Sequence, residues 1–134
     1  MWAIVINPVS GQGKGSIFGT RVTSFFNSKG IKYRMITGTS AQQTSRNLAS
    51  FLALEKDCAG VVAVGGDGLV HLVIQQLAQT NIPIAVIPAG TGNDTCRALV
   101  WPLDNLELIL ESILIQKPQY IDLGVVDAEW LSAI

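Results

Sequence analysis

Three glycine-rich segments hold the residues best suited to chemistry. The first is Asn7-Pro8-Val9-Ser10-Gly11-Gln12-Gly13-Lys14-Gly15-Ser16. Glycine lets backbone approach a phosphate closely, and a helix that follows offers free N–H groups and the positive end of its dipole. Lys14 could add a point charge. Two familiar phosphate loops do not fit. A Walker A loop needs glycine where Pro8 stands and Ser or Thr where Gly15 stands, and the glycine spacing after Gly13 breaks a strict dinucleotide fingerprint. Taken alone, the segment reads equally as a mobile turn between a strand and a helix.

The second segment, Gly65-Gly66-Asp67-Gly68, sets three glycines around one acid directly after a buried apolar run. The glycines open room for a polyphosphate. A carboxylate among phosphates is repulsive unless a cation intervenes or the acid orients a donor. Asp67 is therefore a candidate for an indirect magnesium contact or for positioning the reacting end. Its plainer alternative is a helix N-cap, and the two roles are compatible. The third segment, Pro88-Ala89-Gly90-Thr91-Gly92-Asn93-Asp94, offers a hydroxyl, an amide and a carboxylate between glycines. Alone it could be a turn capped by Asn93 or Asp94.

These segments need a scaffold, and the apolar pattern supplies one. Ala3–Ile6, Lys32–Ile36, Gly60–Val64 and Ile84–Ile87 read as strands, with a last strand over Gln119–Val126. Ser16–Lys29, Ser40–Lys56, Leu69–Gln79, a short stretch to about Leu99, and Asp104–Gln116 read as helices. Gly30 stops the first, Asp104 and Glu107 stand at capping-box spacing, and Pro118 follows the last. Strands that are apolar throughout must be covered on both faces. Alternation with helices then predicts an α/β fold with a doubly covered, mainly parallel sheet. Such sheets bind ligands at the carboxyl ends of their strands, so the three segments should converge on one rim.

In this order and spacing, Asn7-Pro8-Val9-Ser10-Gly11, Gly65-Gly66-Asp67-Gly68 and Pro88-Ala89-Gly90-Thr91-Gly92-Asn93-Asp94 resemble the diacylglycerol kinase catalytic domain. Its relatives include bacterial lipid kinases and sphingosine kinases. The Gly-Gly-Asp-Gly element is shared more remotely with NAD kinases and phosphofructokinases. The resemblance covers about residues 1–126 and implies an NAD kinase/diacylglycerol kinase-like N-terminal domain, with ATP in the cleft between it and a second domain. It implies ATP contacts at Asn7, Pro8, Val9, Ser10, Gly11, Gly65, Gly66, Asp67, Gly68, Gly90, Thr91, Gly92 and Asn93, with magnesium at the phosphates. A threonine after the second strand also contacts nucleotide in the family. Thr39 fits best by its distance to the following helix, and Thr37 is the alternative. Ile121-Asp122-Leu123-Gly124 resembles the segment where the family's chain crosses to its second domain. No residue set reads as a direct metal cage.

Two positions depart from the family pattern. Leu69 stands where threonine is usual, and Leu72 where glutamate is frequent. The first removes a hydroxyl that could contact phosphate, the second a carboxylate near the site. His71, the only histidine, reads as a polar residue on a short helix.

The 134 residues make one ordinary domain, 49% hydrophobic, with a net charge of −1 and charges of both signs. That balance leaves no electrostatic footprint for nucleic acid. Cys58 and Cys96 lack a CxxC partner and are expected to be reduced, in a cytoplasmic protein. No segment approaches the roughly 20 apolar residues of a membrane span. Met1 reads as a true N-terminus, while the apolar ending at Ile134 reads as a truncation.

The family's members are about twice as long, and their β-sandwich second domain supplies the general base and much of the lipid pocket. Residues 1–126 are thus expected to be the nucleotide-binding domain, and 127–134 the start of that second domain. The resemblance implies transfer of a phosphoryl group from ATP to a lipid hydroxyl, diacylglycerol first. A sphingosine-type lipid and a non-catalytic nucleotide-binding regulatory module are the alternatives. It also implies a lipid met through the second domain, peripheral contact with the inner face of a membrane, and an open question of homodimerisation.

Overall fold

A computed structural model describes residues 1–89, 106–115, 123–126 and 129–132. Strand β1 (Trp2–Ile6) leads into helix α1 (Ser10–Ser28), and β2 (Tyr33–Ile36) into α2 (Ala41–Leu54). Strand β3 (Gly60–Gly65), helix α3 (Asp67–Leu77) and strand β4 (Ile84–Pro88) follow. Helix α4 (Leu106–Ile115) and strands β5 (Leu123–Val126) and β6 (Glu129–Ser132) complete the described chain.

The four-stranded sheet runs β2-β1-β3-β4, with every neighbouring pair parallel. Its apolar strands are covered on both faces, as the pattern required. On one face Ile4, Ile6, Val62, Val64 and Ile87 pack under Val22 and Phe26 of α1 and Leu110 of α4. On the other, Ala3, Val5, Val61 and Ala63 pack under Leu48 and Phe51 of α2 and Val73 and Leu77 of α3. Adjacent strand residues thus serve opposite clusters, the period-2 consequence of the pleat. Among the described residues no helix is long and apolar enough to cross a membrane. Cys58 is a free, buried thiol. Burial raises its pKa above the ordinary 9.0, partly offset by a backbone hydrogen bond at Gly60.

Some element boundaries differ from the sequence reading. The structure starts α1 at Ser10 rather than Ser16, but interrupts it with left-handed residues at Gly11, Gln12 and Gly13. The expected loop is therefore a broken first turn. Helix α3 starts at Asp67, two residues before Leu69. Leu69 fastens this first turn, because its side chain packs beneath Gly65. Strands β5 and β6 form an antiparallel pair of their own and do not join the parallel sheet. The third loop beyond Ala89, the short helix to Leu99, Asp104 and the Ile121–Asp122 crossing lie outside the described residues.

Candidate functional site

The chain leaves β1 towards β2 on one side, and β3 leads to β4 on the other. Between β1 and β3 lies the switch point where such sheets bind ligands. Backbone hydrogen bonds carry the pairing past the strands into the loops. Asn7 N–H donates to the Val64 carbonyl at 3.0 Å, and Ala89 N–H to the Gly65 carbonyl at 3.0 Å. The first and second segments and the start of the third are thereby held side by side at one rim.

The first segment is built for close approach. The Asn7 side-chain oxygen accepts from Val9 N–H at 3.3 Å, and the Asn7 carbonyl accepts from Ser10 N–H at 3.2 Å. Asn7 therefore braces the turn. A Cβ on Gly11, which has φ +57°, would lie 2.0 Å from the Ala89 carbonyl oxygen, so glycine is needed here on both counts. Gln12, at φ 60° with a full side chain, carries strain of about 1–2 kcal/mol. The step from right-handed Ser10 to left-handed Gly11 turns successive N–H groups into a concavity suited to an anion. Lys14, exposed, stands one residue beyond.

The second segment faces the first. Gly65 lies against Ser10, whose Oγ would be 3.3 Å from a Cβ built there. Gly66 is the extended N-cap of α3 and its own lack of a side chain leaves the cap without a side-chain hydrogen bond. Asp67 is therefore not the N-cap. It occupies the first helical position, where a carboxylate complements the helix dipole, and it is half-buried. A Cβ on Gly68 would meet nothing within 4 Å. Packing does not require glycine there, and the space in front of it is open.

The two departures have a physical account. Leu69 is only 8% exposed and fills the gap between α3 and β3, and Leu72 packs at the edge of the same cluster. Both point into the fold and not at the rim. His71 is half-buried, with Gln75 Nε2 3.5 Å from its Nε2 and 3.3 Å from its carbonyl oxygen.

At the end of β2 the Thr39 hydroxyl and backbone N–H both donate to Gln43 Oε1. Ser40 Oγ accepts from Gln43 N–H at 3.1 Å, so Ser40 caps α2. Asn47 Nδ2 donates to the Thr37 carbonyl at 2.7 Å. Thr39 thus stands on the same side of the sheet as the glycine-rich loops, with Gln43 fixing its rotamer. Sequence reasoning missed Gln43, although Ser40-x-x-Gln43 has capping-box spacing. It also missed Ala89 as the wall that Gly11 abuts. Gly90, Thr91, Gly92 and Asn93 lie outside the described residues. Among the described residues no group of three His, Cys, Asp or Glu could hold a metal.

A parallel, doubly covered sheet with glycine-rich turns gathered at its switch point is an α/β arrangement whose rim suits an anionic group. The sequence model of the diacylglycerol kinase catalytic domain matches residues 1–126, and the chain belongs to that family. It is 34% identical over 118 residues to a diacylglycerol kinase of Mycobacterium tuberculosis (strain H37Rv), covering 88% of this chain and 38% of the relative. It is 33% identical over 106 residues to sphingoid long-chain bases kinase 1 of Arabidopsis thaliana, covering 73% of this chain and 13% of that protein. A crystal structure of a diacylglycerol kinase from Bacillus anthracis (strain Sterne) superposes with a TM-score of 0.78 at 20% identity, over 96% of this chain and 43% of that one. The fold is shared. The chain spans less than half the length of each of these proteins.

Proposed function

We propose that this domain binds the triphosphate of ATP for phosphoryl transfer to a lipid hydroxyl, with diacylglycerol as the leading substrate. The observation that carries the reading is the junction of Gly11 with Ala89 and of Gly65 with Ser10, which leaves Gly68 facing open space. Phosphate oxygens would lie on the backbone N–H groups of residues 11–13 and on the N-terminus of α3. Lys14 would add charge, and Thr39 would meet the nucleotide from the β2 side. Asn7, Pro8 and Val9 shape the turn. Gly90, Thr91, Gly92 and Asn93 would complete the rim from the third segment.

Asp67 is the one carboxylate of the described rim. That suits magnesium, which keeps several waters and arrives on substrate phosphates instead of in an all-protein cage. When bound, the ion neutralises charge developing on the transferred group. Asp67 would orient its water shell and so position the reacting phosphate. The general base for the lipid alcohol would come from a second domain, expected from about residue 127.

Two other readings have specific support. The similarity to a sphingoid-base kinase keeps a long-chain base as the alternative lipid, which a substrate panel decides. Leu69 and Leu72, turned into the core, keep open a nucleotide-binding module without catalysis. Calorimetric titration with ATP and magnesium should give binding by this chain, and Asp67→Ala should weaken it at least tenfold while Asp104→Ala leaves it intact. In a chain carrying the second domain, Asp67→Ala should abolish lipid phosphorylation. ATP binding without phosphorylation of any lipid would favour the regulatory module.

A further inference from the structure

The turn after β2 is fixed by the first turns of α2. Asn47 Nδ2 donates to the Thr37 carbonyl at 2.7 Å, and Thr44 Oγ1 to the Ser40 carbonyl at 3.0 Å. A Cβ on Gly38 would lie 2.6 Å from both the nitrogen and the Oγ1 of Thr44, so the turn rests directly on the helix. Gln43 adds a hold that helix capping does not ask for. In a capping box the side chain at this position returns to the N–H of the N-cap residue, here Ser40. Gln43 Oε1 instead reaches one residue further. It accepts from Thr39 N–H at 2.6 Å and from Thr39 Oγ1 at 2.9 Å.

These bonds set the polarity of the pair. An N–H can only donate, so the Gln43 atom that faces Thr39 is the oxygen, and Nε2 with its two hydrogens is turned away. The Thr39 hydroxyl has one hydrogen and gives it to Gln43, which leaves only lone pairs to offer a ligand. Both residues are exposed, so an acceptor and a donor stand next to each other in solvent. They also stand beside the first segment. Val5 of β1 pairs with Ile36 of β2, and the two chains run on from there to Asn7 and Thr37, one strand spacing of about 5 Å apart. Dinucleotide-binding sheets place an acid after this strand, which takes a ribose hydroxyl. Residues 1–54 of this chain contain no Asp or Glu. A neutral acceptor and donor of fixed polarity suit a purine edge better, because ribose hydroxyls both donate and accept.

We propose that Thr39 and Gln43 read the base of the bound nucleotide, and that Gln43 makes the site specific for adenine. Thr39 Oγ1 accepts from the 6-amino group, and Gln43 Nε2 donates to a neighbouring ring nitrogen. Guanine carries an oxygen at position 6, so lone pairs would face lone pairs. Gln43 acts twice. Its nitrogen touches the base, and its oxygen withdraws the Thr39 hydrogen that guanine would need. A threonine hydroxyl without that partner would rotate and serve either base. This role rests on the ATP reading of the site and adds the choice of base to it.

The experiment is calorimetric titration of the chain, with magnesium, against ATP, GTP, purine riboside triphosphate, 2′-deoxyATP and inorganic tripolyphosphate. ATP should bind about tenfold more tightly than GTP, towards the lower end for a two-bond base contact because this one is open to water. Purine riboside triphosphate, which lacks the amino group, should bind like GTP, and 2′-deoxyATP like ATP. Gln43→Met and Thr39→Val should each bring the ATP-to-GTP ratio close to one, whereas Thr39→Ser should keep the parental ratio. Tripolyphosphate has no base, so its affinity should stay parental in all three variants and report an intact rim. Equal binding of ATP and GTP by the parent overturns the proposal, as does a parental ratio in Gln43→Met. A tenfold loss with 2′-deoxyATP assigns the pair to the ribose and overturns it too. A parent that binds tripolyphosphate without preferring any base leaves the phosphate rim standing. A parent that binds none of the five removes the nucleotide reading, and this role with it.

Discussion

A methyl group at Gly11 would sit 2.0 Å from the Ala89 carbonyl oxygen on a backbone at φ +57°, whereas one at Gly68 would meet nothing within 4 Å. The two glycines are therefore glycine for different reasons, and alanine separates them. Gly11→Ala must push the first segment off the start of the third. It should cost about 1–3 kcal/mol in strain, with nucleotide affinity falling as the rim opens. Gly68→Ala should leave stability unchanged or raise it by up to about 1 kcal/mol, because alanine is the better helix former near the start of α3. Its ATP affinity should nonetheless fall about tenfold, because the methyl occupies the open space in front of the helix. Denaturant titration beside calorimetry reads both effects. A Gly68→Ala variant with parental ATP affinity would remove the rim from the phosphate path.

Among the elements, the strands were the easiest to read, since β1, β3 and β4 are apolar runs with glycine or proline at their ends. The start of α2 was legible from Ser40, which caps it. The start of α3 was not. Gly68 reads as loop by propensity, yet the helix runs through it from Asp67, whereas Gly11 and Gly13 keep the non-helical backbone expected of a loop. The first turn of α3 is secured by Leu69, whose Cδ2 would lie 2.7 Å from a Cβ on Gly65. The departure from the family's threonine thus appears in the structure as a packing residue. Restoring a hydroxyl by Leu69→Thr should lower stability by about 1–3 kcal/mol, through lost apolar burial under β3. It should not improve ATP binding, because position 69 faces the core. A gain in affinity would mean that this turn can rotate towards the rim. The third loop could be read as a candidate only from its residue types, and its Thr91 and Asn93 fall outside the described residues.

At the scale of the molecule, the candidate site depends on one sheet gripped from both sides. Phe26 of α1 is fully buried on one face, with Trp2 and Tyr33 packed edge-on at 5.6 Å and 5.9 Å. Phe51 of α2 is 2% exposed on the other face. The clusters around them share no side chain, but they share every strand, because neighbouring residues of β1 and β3 point to opposite clusters. If the strands transmit the loss of either cluster, the domain should unfold in one transition. Phe26→Ala and Phe51→Ala should each cost about 3–5 kcal/mol. Each should shift a single denaturation midpoint, with Trp2 fluorescence, read with Trp101 and Trp130 changed to Phe, and far-ultraviolet circular dichroism coinciding. ATP should raise the midpoint of both variants by the same amount as in the parent where the folded rim is intact. Two separated transitions in Phe51→Ala, with Trp2 reporting only the later one, would show that the faces melt independently and that the rim is held by the α1 side alone.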